Sequence, residues 1–326
     1  MLRISILGAG YMANKMCTAF EYLRDRGEVE LHAVAARDAG RARDFAARHG
    51  IATSYGSYEE LAADPDPGLV YIATTNTQHF EHLRLCVERG LDVLCEKPFT
   101  PNAAQAAEIF EIARRSGSFV CEALWTRFLP AAKLIADIVA GGEIGAPRLV
   151  EASFCVPIDH KVRVQDPALA GGALLDLGIY PLAFALQQFG NGYRRIDGHA
   201  VLTPGGVDDQ SQFCLEYDDG RFASLATSMT AGGGAPGRLS GTKGHIILER
   251  LLKCEEFVVE LMDGTRRTVS CPFESNGYEY EIRACAAALS AGKKECAECT
   301  WADTLASLRT MDSLRSLWGV RYPFEP

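Results

Sequence analysis

"RISILGAGYMA", residues 3–13, decides the fold. Residues 3–7 are short and β-rich, Gly8-Ala9-Gly10 turns the chain, and residues 11–25 read as a helix. The turn fits G-x-G-x-x-A, and the strand before it and helix after it give that short match its weight. Gly8 permits the tight turn, Gly10 lets the backbone approach a pyrophosphate, and Ala13 allows close helix–strand packing. The helix N-terminus, with Tyr11 and Met12 in its first turn, offers N–H donors and a positive dipole end to phosphates. An ordinary β-α turn has the same look. The context favours a dinucleotide site.

The alternation continues from there. Strand signals at 29–36, 69–75, 91–96 and 118–124 interleave with helix signals at 39–50, 78–90 and 101–116. The helices at 39–50 and 78–90 close on glycine, a C-terminal stop signal. The strands read as apolar runs, as a sheet covered on both faces requires. The expectation is an α/β fold: a doubly wound parallel sheet over residues 1–124. After that the pattern changes. Helical segments at 127–142 and 171–190 flank a strand at 148–156, and strands then follow in succession. "FCLEYDDGRFASLATS" and "FVVELMDGTRRTVSC" each set Asp-Gly between β-rich runs, a strong hairpin signal. Helices at 277–291 and 301–318 close the chain. Residues 125–326 are therefore expected to form an α+β substrate and oligomerisation domain on a largely antiparallel open sheet.

Composition sets limits. Of 326 residues, 48% are hydrophobic and 23% charged, and the net charge of -9 argues against nucleic-acid or anionic-membrane partners. There is no secretory leader pattern, and no run of about 20 continuously apolar residues. The 11 cysteines are scattered, mostly within apolar runs, which reads as reduced thiols in a cytoplasmic protein. Cys296-Ala-Glu-Cys299 has metal-like spacing but no second pair or histidine pair nearby, so no metal is expected.

The second strand ends in "VAARD". An acidic residue there would take a ribose 2′-hydroxyl. Arg37 instead suits a 2′-phosphate, with Arg41 one helical turn on, and Asp38 suits a helix N-cap. NADP is expected over NAD. "TTNTQH" lies at the carboxyl end of an interior strand, where such sheets bind ligands, so Thr74, Thr75, Asn76 and His79 are candidate cofactor contacts.

"LDVLCEKPFT" (91–100) ends an apolar strand on Glu96, Lys97 and Pro98. A residue before proline is held extended, so Lys97 cannot begin a helix. Its ammonium can stabilise charge on a reacting oxygen or relay a proton, and Glu96 joins it as a cofactor contact. From spacing alone, a lysine snorkelling to solvent reads equally well. The Lys97-Pro98 bond is a candidate for the cis form.

These segments, with "EALWTRFLPA" (122–131), "GGALLDLGIYPL" (171–182), "GVDD" (206–209) and "SGTKG" (240–244), resemble the Gfo/Idh/MocA oxidoreductase family over nearly the whole chain. Within it they look most like the branch of dimeric dihydrodiol dehydrogenases and NADP-dependent D-xylose dehydrogenases. The resemblance implies that Lys97 is the catalytic lysine, Tyr180 the acid/base group and Asp176 its companion. Four-residue spacing would put Asp176 and Tyr180 on one helix face, although Pro181 disturbs that geometry. Without the motif, Tyr180 reads as a buried aromatic. Trp125, Arg127 and Phe154 are candidate substrate-pocket residues, or core and ion-pair residues. The activity implied is NADP-dependent hydride transfer at a sugar or cyclic diol carbon, by a homodimer or homotetramer. The alternatives are a redox-neutral, NAD-retaining glycoside-processing enzyme and a non-catalytic nucleotide sensor.

Overall fold

The computed structural model describes residues 1–325, which form two compact units. The first comprises Met1–Trp125 and Glu274–Thr304, the second Thr126–Phe273 and the residues from Leu305 onward. The second segment of the first unit, which returns after an interval of more than 140 residues, replaces the single boundary expected near residue 124.

In the first unit, strands β1 (Leu2–Leu7), β2 (Val29–Ala35), β3 (Thr53–Tyr55), β4 (Leu69–Ile72), β5 (Val93–Glu96) and β6 (Val120–Ala123) alternate with helices. These are α1 (Tyr11–Arg24), α2 (Ala39–His49), α3 (Tyr58–Ala62), α4 (His79–Val87) and α5 (Ala103–Ser116). All strand neighbours are parallel, in the order β3-β2-β1-β4-β5-β6, the classic arrangement of a dinucleotide-binding sheet. β4, β5 and β6 are buried at every position, as their unbroken apolar runs require. Local chemistry fixes the helix ends. Asp38 and Asn102 accept the Arg41 and Gln105 backbone N–H at 2.7 and 3.0 Å, and Gly50 and Gly117 close α2 and α5 in the left-handed conformation. β3 and α3 are too short to give the sequence a period, and they were not anticipated.

The second unit holds α6 (Pro130–Ala140), β7 (Pro147–Cys155), α7 (Val162–Gln165), α8 (Ile179–Phe189), β8 (Arg195–Leu202), β9 (Asp208–Glu216), β10 (Phe222–Ser228), β11 (Gly237–Gly241), β12 (Gly244–Leu248), β13 (Glu256–Leu261) and β14 (Arg266–Ser270). Its eight strands run β14-β13-β12-β11-β7-β10-β9-β8, antiparallel at every step except β7–β10. Both expected Asp-Gly hairpins form, with Gly220 and Gly264 at φ 80° and 88°. α8 packs on β7 and β10 and covers one face of the sheet.

Two helices end the chain, α9 (Glu279–Ser290) and α10 (Trp301–Trp318). The segment around α9 seals the first sheet's β6 edge. Val120 N–H donates to Lys294 O at 3.0 Å, and Trp301 Nε1 donates to Val120 O at 2.8 Å. Phe99, Phe110 and Trp301 stack in series at 5.0 and 5.1 Å, and Arg283 grips Glu28 through two nitrogens at 2.7 and 2.9 Å. A parallel sheet's edge would otherwise expose unpaired backbone groups.

The stretch Pro167–Phe189 is long and apolar enough to cross a membrane by composition, which the sequence reading did not anticipate, but 89% of that window is buried within the fold. All 11 cysteines are free thiols, nine of them buried.

Candidate active site

The cofactor half is built at the carboxyl ends of β1, β2, β4 and β5. Gly8 sits at φ +111°, and a Cβ there would lie 2.8 Å from Ala73 O, so only glycine fits the turn. Gly10 precedes α1 as its N-cap and provides no side chain, so the first-turn N–H groups of Tyr11 and Met12 are not capped from within. A cleft of about 460 Å³ opens here, lined by Ala9, Gly10, Tyr11, Asp38 and Arg41 among others. Tyr11 is 72% exposed above it. The glycine cradle, the uncapped helix start and the adjoining arginines fit a dinucleotide phosphate chain.

At the end of β2, Asp38 spends one carboxylate oxygen on capping α2. Arg41 donates from Nε and Nη2 to Ala9 O at 3.1 and 2.9 Å, tying α2 to the glycine turn. Arg37 is exposed beside Tyr58, whose phenol burial pushes up while the Arg37 and Arg41 charges oppose that shift. Tyr58 packs edge-on against His82 at 4.5 Å, and Thr74 Oγ1 meets His82 Nδ1 at 2.9 Å. Burial, helped by His79, lowers His82 to about 4, so its ring is neutral at physiological pH. Thr75 is exposed, while Thr74 and Asn76 are partly exposed.

Two expected cofactor contacts, His79 and Glu96, are buried. His79 is fully buried, with Nδ1 2.9 Å from Pro98 O and Nε2 3.2 Å from Thr74 O. It braces the end of β4 against the loop after β5. Glu96 is 5% exposed and accepts a short hydrogen bond from Tyr71 OH, and burial raises its pKa. Glu96 is the last residue of β5 and its side chain lies in the core. Lys97 is half-buried, and the Lys97-Pro98 peptide is cis. Behind it, Glu122 accepts the Phe99 N–H at 3.0 Å and the Thr304 hydroxyl at 2.8 Å.

The second unit carries the aromatic candidates. Tyr180 is 7% exposed in α8, and Phe154 of β7 meets its ring edge-on at 5.8 Å. Tyr180 and the buried Arg127 line one cleft with Thr126, Phe184 and Gln187. Trp125 belongs to the first unit, where it is buried with its ring 4.6 Å from that of Tyr278. Asp176 lies in a π-helical turn, Leu174–Gly178, and pairs with Arg163 of α7 at 2.9 Å. Ile179 N–H reaches back to Leu174 O across that turn. Pro181 explains the widening: its ring would clash with Leu177 O, and it has no N–H to continue the ordinary ladder. The four-residue spacing expected to align Asp176 with Tyr180 is therefore not that of a regular α-helix. Sequence reading missed Arg163, Tyr58 and the capping role of Asp208. The last stood in "GVDD" but had no visible partner. Asp208 is fully buried and accepts the Leu174 N–H at 2.7 Å, and burial lifts its pKa to about 7.

A uniformly parallel, glycine-turned dinucleotide sheet followed by a helix-backed, largely antiparallel sheet defines an NAD(P)-dependent oxidoreductase. Residues 2–123 match the oxidoreductase family with an NAD-binding Rossmann fold, and residues 133–247 match the GFO/IDH/MocA C-terminal domain. The chain belongs to the Gfo/Idh/MocA family. It is 37% identical to the trans-1,2-dihydrobenzene-1,2-diol dehydrogenase of Sus scrofa and 35% identical to that of Mus musculus, covering 99% of this chain and 98% of each relative. Among solved structures, a 3-ketoreductase from Actinomadura kijaniata in complex with NADP superposes with TM-score 0.80 at 26% identity over 97% of both chains. The fold is shared with an aldose-aldose oxidoreductase from Caulobacter crescentus, TM-score 0.87 at 22% identity over 97% and 96% of the two chains.

Proposed function

We propose that this protein is an NADP-dependent dehydrogenase that oxidises or forms a secondary alcohol on a cyclic diol or sugar. The end of β2 carries the cofactor choice. Asp38 caps α2 through one carboxylate oxygen, and the neighbouring Arg37 and Arg41 suit a 2′-phosphate. The full-length likeness to dihydrodiol dehydrogenases supports the diol class.

The bound nicotinamide supplies the hydride acceptor or donor. In this reading Tyr180 Oη is the acid/base group that gives a proton to the substrate or takes one from it, and the Lys97 ammonium supplies positive charge to the reaction. Phe154 and Phe184 supply apolar surface for a ring face. Asp176, paired with Arg163, acts as a positioning residue for the π-helical turn that leads into α8. The outer face of the second unit's sheet, with Ala226, Ile247 and Val258 half-exposed, is the proposed homo-oligomer interface.

The test is reduced-nicotinamide absorbance with NADP or NAD against a panel of cyclic trans-diols and aldoses. Turnover with NADP on at least one of these classes is expected. A tenfold tighter or faster response to NAD would overturn the cofactor assignment, and turnover on neither class would overturn the substrate assignment.

A further inference from the structure

We propose that Cys121, Cys285 and Cys296 form a binding site for a thiophilic d10 metal ion such as Zn²⁺, Cd²⁺ or Cu⁺. The three residues come from β6, from α9 and from the loop between α9 and α10. Folding brings their sulfurs within 4.8 Å of one another, and each residue is at most 1% exposed. Cys296 Sγ lies 3.8 Å from Cys285 Sγ. Metal–sulfur bonds of ~2.3 Å in trigonal or tetrahedral geometry hold sulfurs roughly 3.8–4.0 Å apart, so the cluster needs little rearrangement to close on an ion. Soft thiolates select d10 ions over hard cations. Each metal–sulfur bond formed releases one thiol proton to solvent.

A second observation points the same way. Glu281 lies one helical turn before Cys285 on α9, is fully buried, and has no hydrogen-bond partner at either carboxylate oxygen. An orphaned buried carboxyl is costly unless it is protonated or faces a cation. Cys299, the other half of the Cys-x-x-Cys spacing, lies outside the cluster, with its sulfur 4.0 Å from Thr304 Oγ1. The metal-like spacing in the sequence thus contributes one ligand, Cys285 of the preceding helix a second, and only Cys121 comes from far along the chain.

Cys121 adjoins Glu122, the carboxylate that holds the Phe99 N–H two residues beyond Lys97.

The test is equilibrium dialysis of the reduced, full-length protein against Cd²⁺, with thiolate-to-metal charge-transfer absorbance and thermal unfolding as readouts. One Cd²⁺ per chain is expected, with a charge-transfer band and a raised unfolding midpoint. Cys285→Ala and Cys296→Ala should each lose the band and the shift, while Cys254→Ala, a buried thiol outside the cluster, should keep both. Circular dichroism of each variant without metal verifies folding. In a parallel Zn²⁺ titration, Glu281→Gln weakening binding tenfold or more would make Glu281 the fourth ligand, and unchanged binding would leave a three-sulfur site. Absence of the band in wild type, or its survival in both Cys285→Ala and Cys296→Ala, would overturn the proposal.

Discussion

Arg37, Glu96 and His79 show what a single position can tell. Glu96 ends β5, Arg37 follows β2 by two residues, and His79 opens α4 after the β4 loop, all on the side of the sheet where this architecture binds ligands. Position along a strand was legible in the sequence, but side-chain direction was only half legible. Glu96 ends β5, where all four positions are buried, and the core holds its carboxylate through Tyr71. His79 was illegible because its acceptors, Thr74 O and Pro98 O, are backbone groups brought together only by folding. His79→Leu should therefore destabilise the fold by ~1–3 kcal/mol, the cost of stranded buried carbonyls, read as a lower urea midpoint. Arg37→Ala should weaken NADPH binding roughly 10–100-fold, the value of a lost charge-assisted hydrogen bond, and change NADH binding little. Isothermal titration with both cofactors checks this.

Among the elements, the π-helical turn before α8 is where sequence periodicity misled. The run at 171–190 is apolar all round, so no stripe marked its handedness or phase, and Pro181 was the one visible sign of irregularity. Asp208 anchors the start of that turn through the Leu174 N–H. Its carboxyl titrates at the ordinary aspartate value, about 4, when unfolded and at about 7 when folded. Between those values the folded state holds a proton that the unfolded state has released. Its contribution to stability thus falls as pH rises from about 4 to about 7 and is flat above, by an amount on the order of 4 kcal/mol. Asp208→Asn keeps an acceptor for Leu174 and does not titrate. Its stability relative to wild type should therefore grow across that window, measured by urea unfolding at about pH 5 and about pH 8. A constant difference would show that Asp208 does not titrate there.

For the whole molecule, the two fold classes were legible because each has its own period: apolar runs between helices in the first part, Asp-Gly hairpins in the second. The return of residues 274–304 to the first unit was not. α9 looks like any amphipathic helix, and what assigns it is a β6 edge that needs covering by Lys294 O and Trp301. The half-exposed sheet face of the second unit is the proposed oligomer interface. Light scattering should give a dimer or tetramer, and Val258→Arg should give a monomer, since a buried unpaired charge opposes association. The central claim is that Lys97 and Tyr180 carry out proton and charge chemistry on an alcohol whose hydride goes to NADP. The most direct test is the rate of reduced-nicotinamide formation by wild type, Lys97→Met and Tyr180→Phe on the best diol or aldose, at saturating NADP. The account predicts a loss in kcat of roughly 10²-fold or more in each variant, with NADPH affinity changed far less than the rate. Near wild-type turnover in either variant would contradict it.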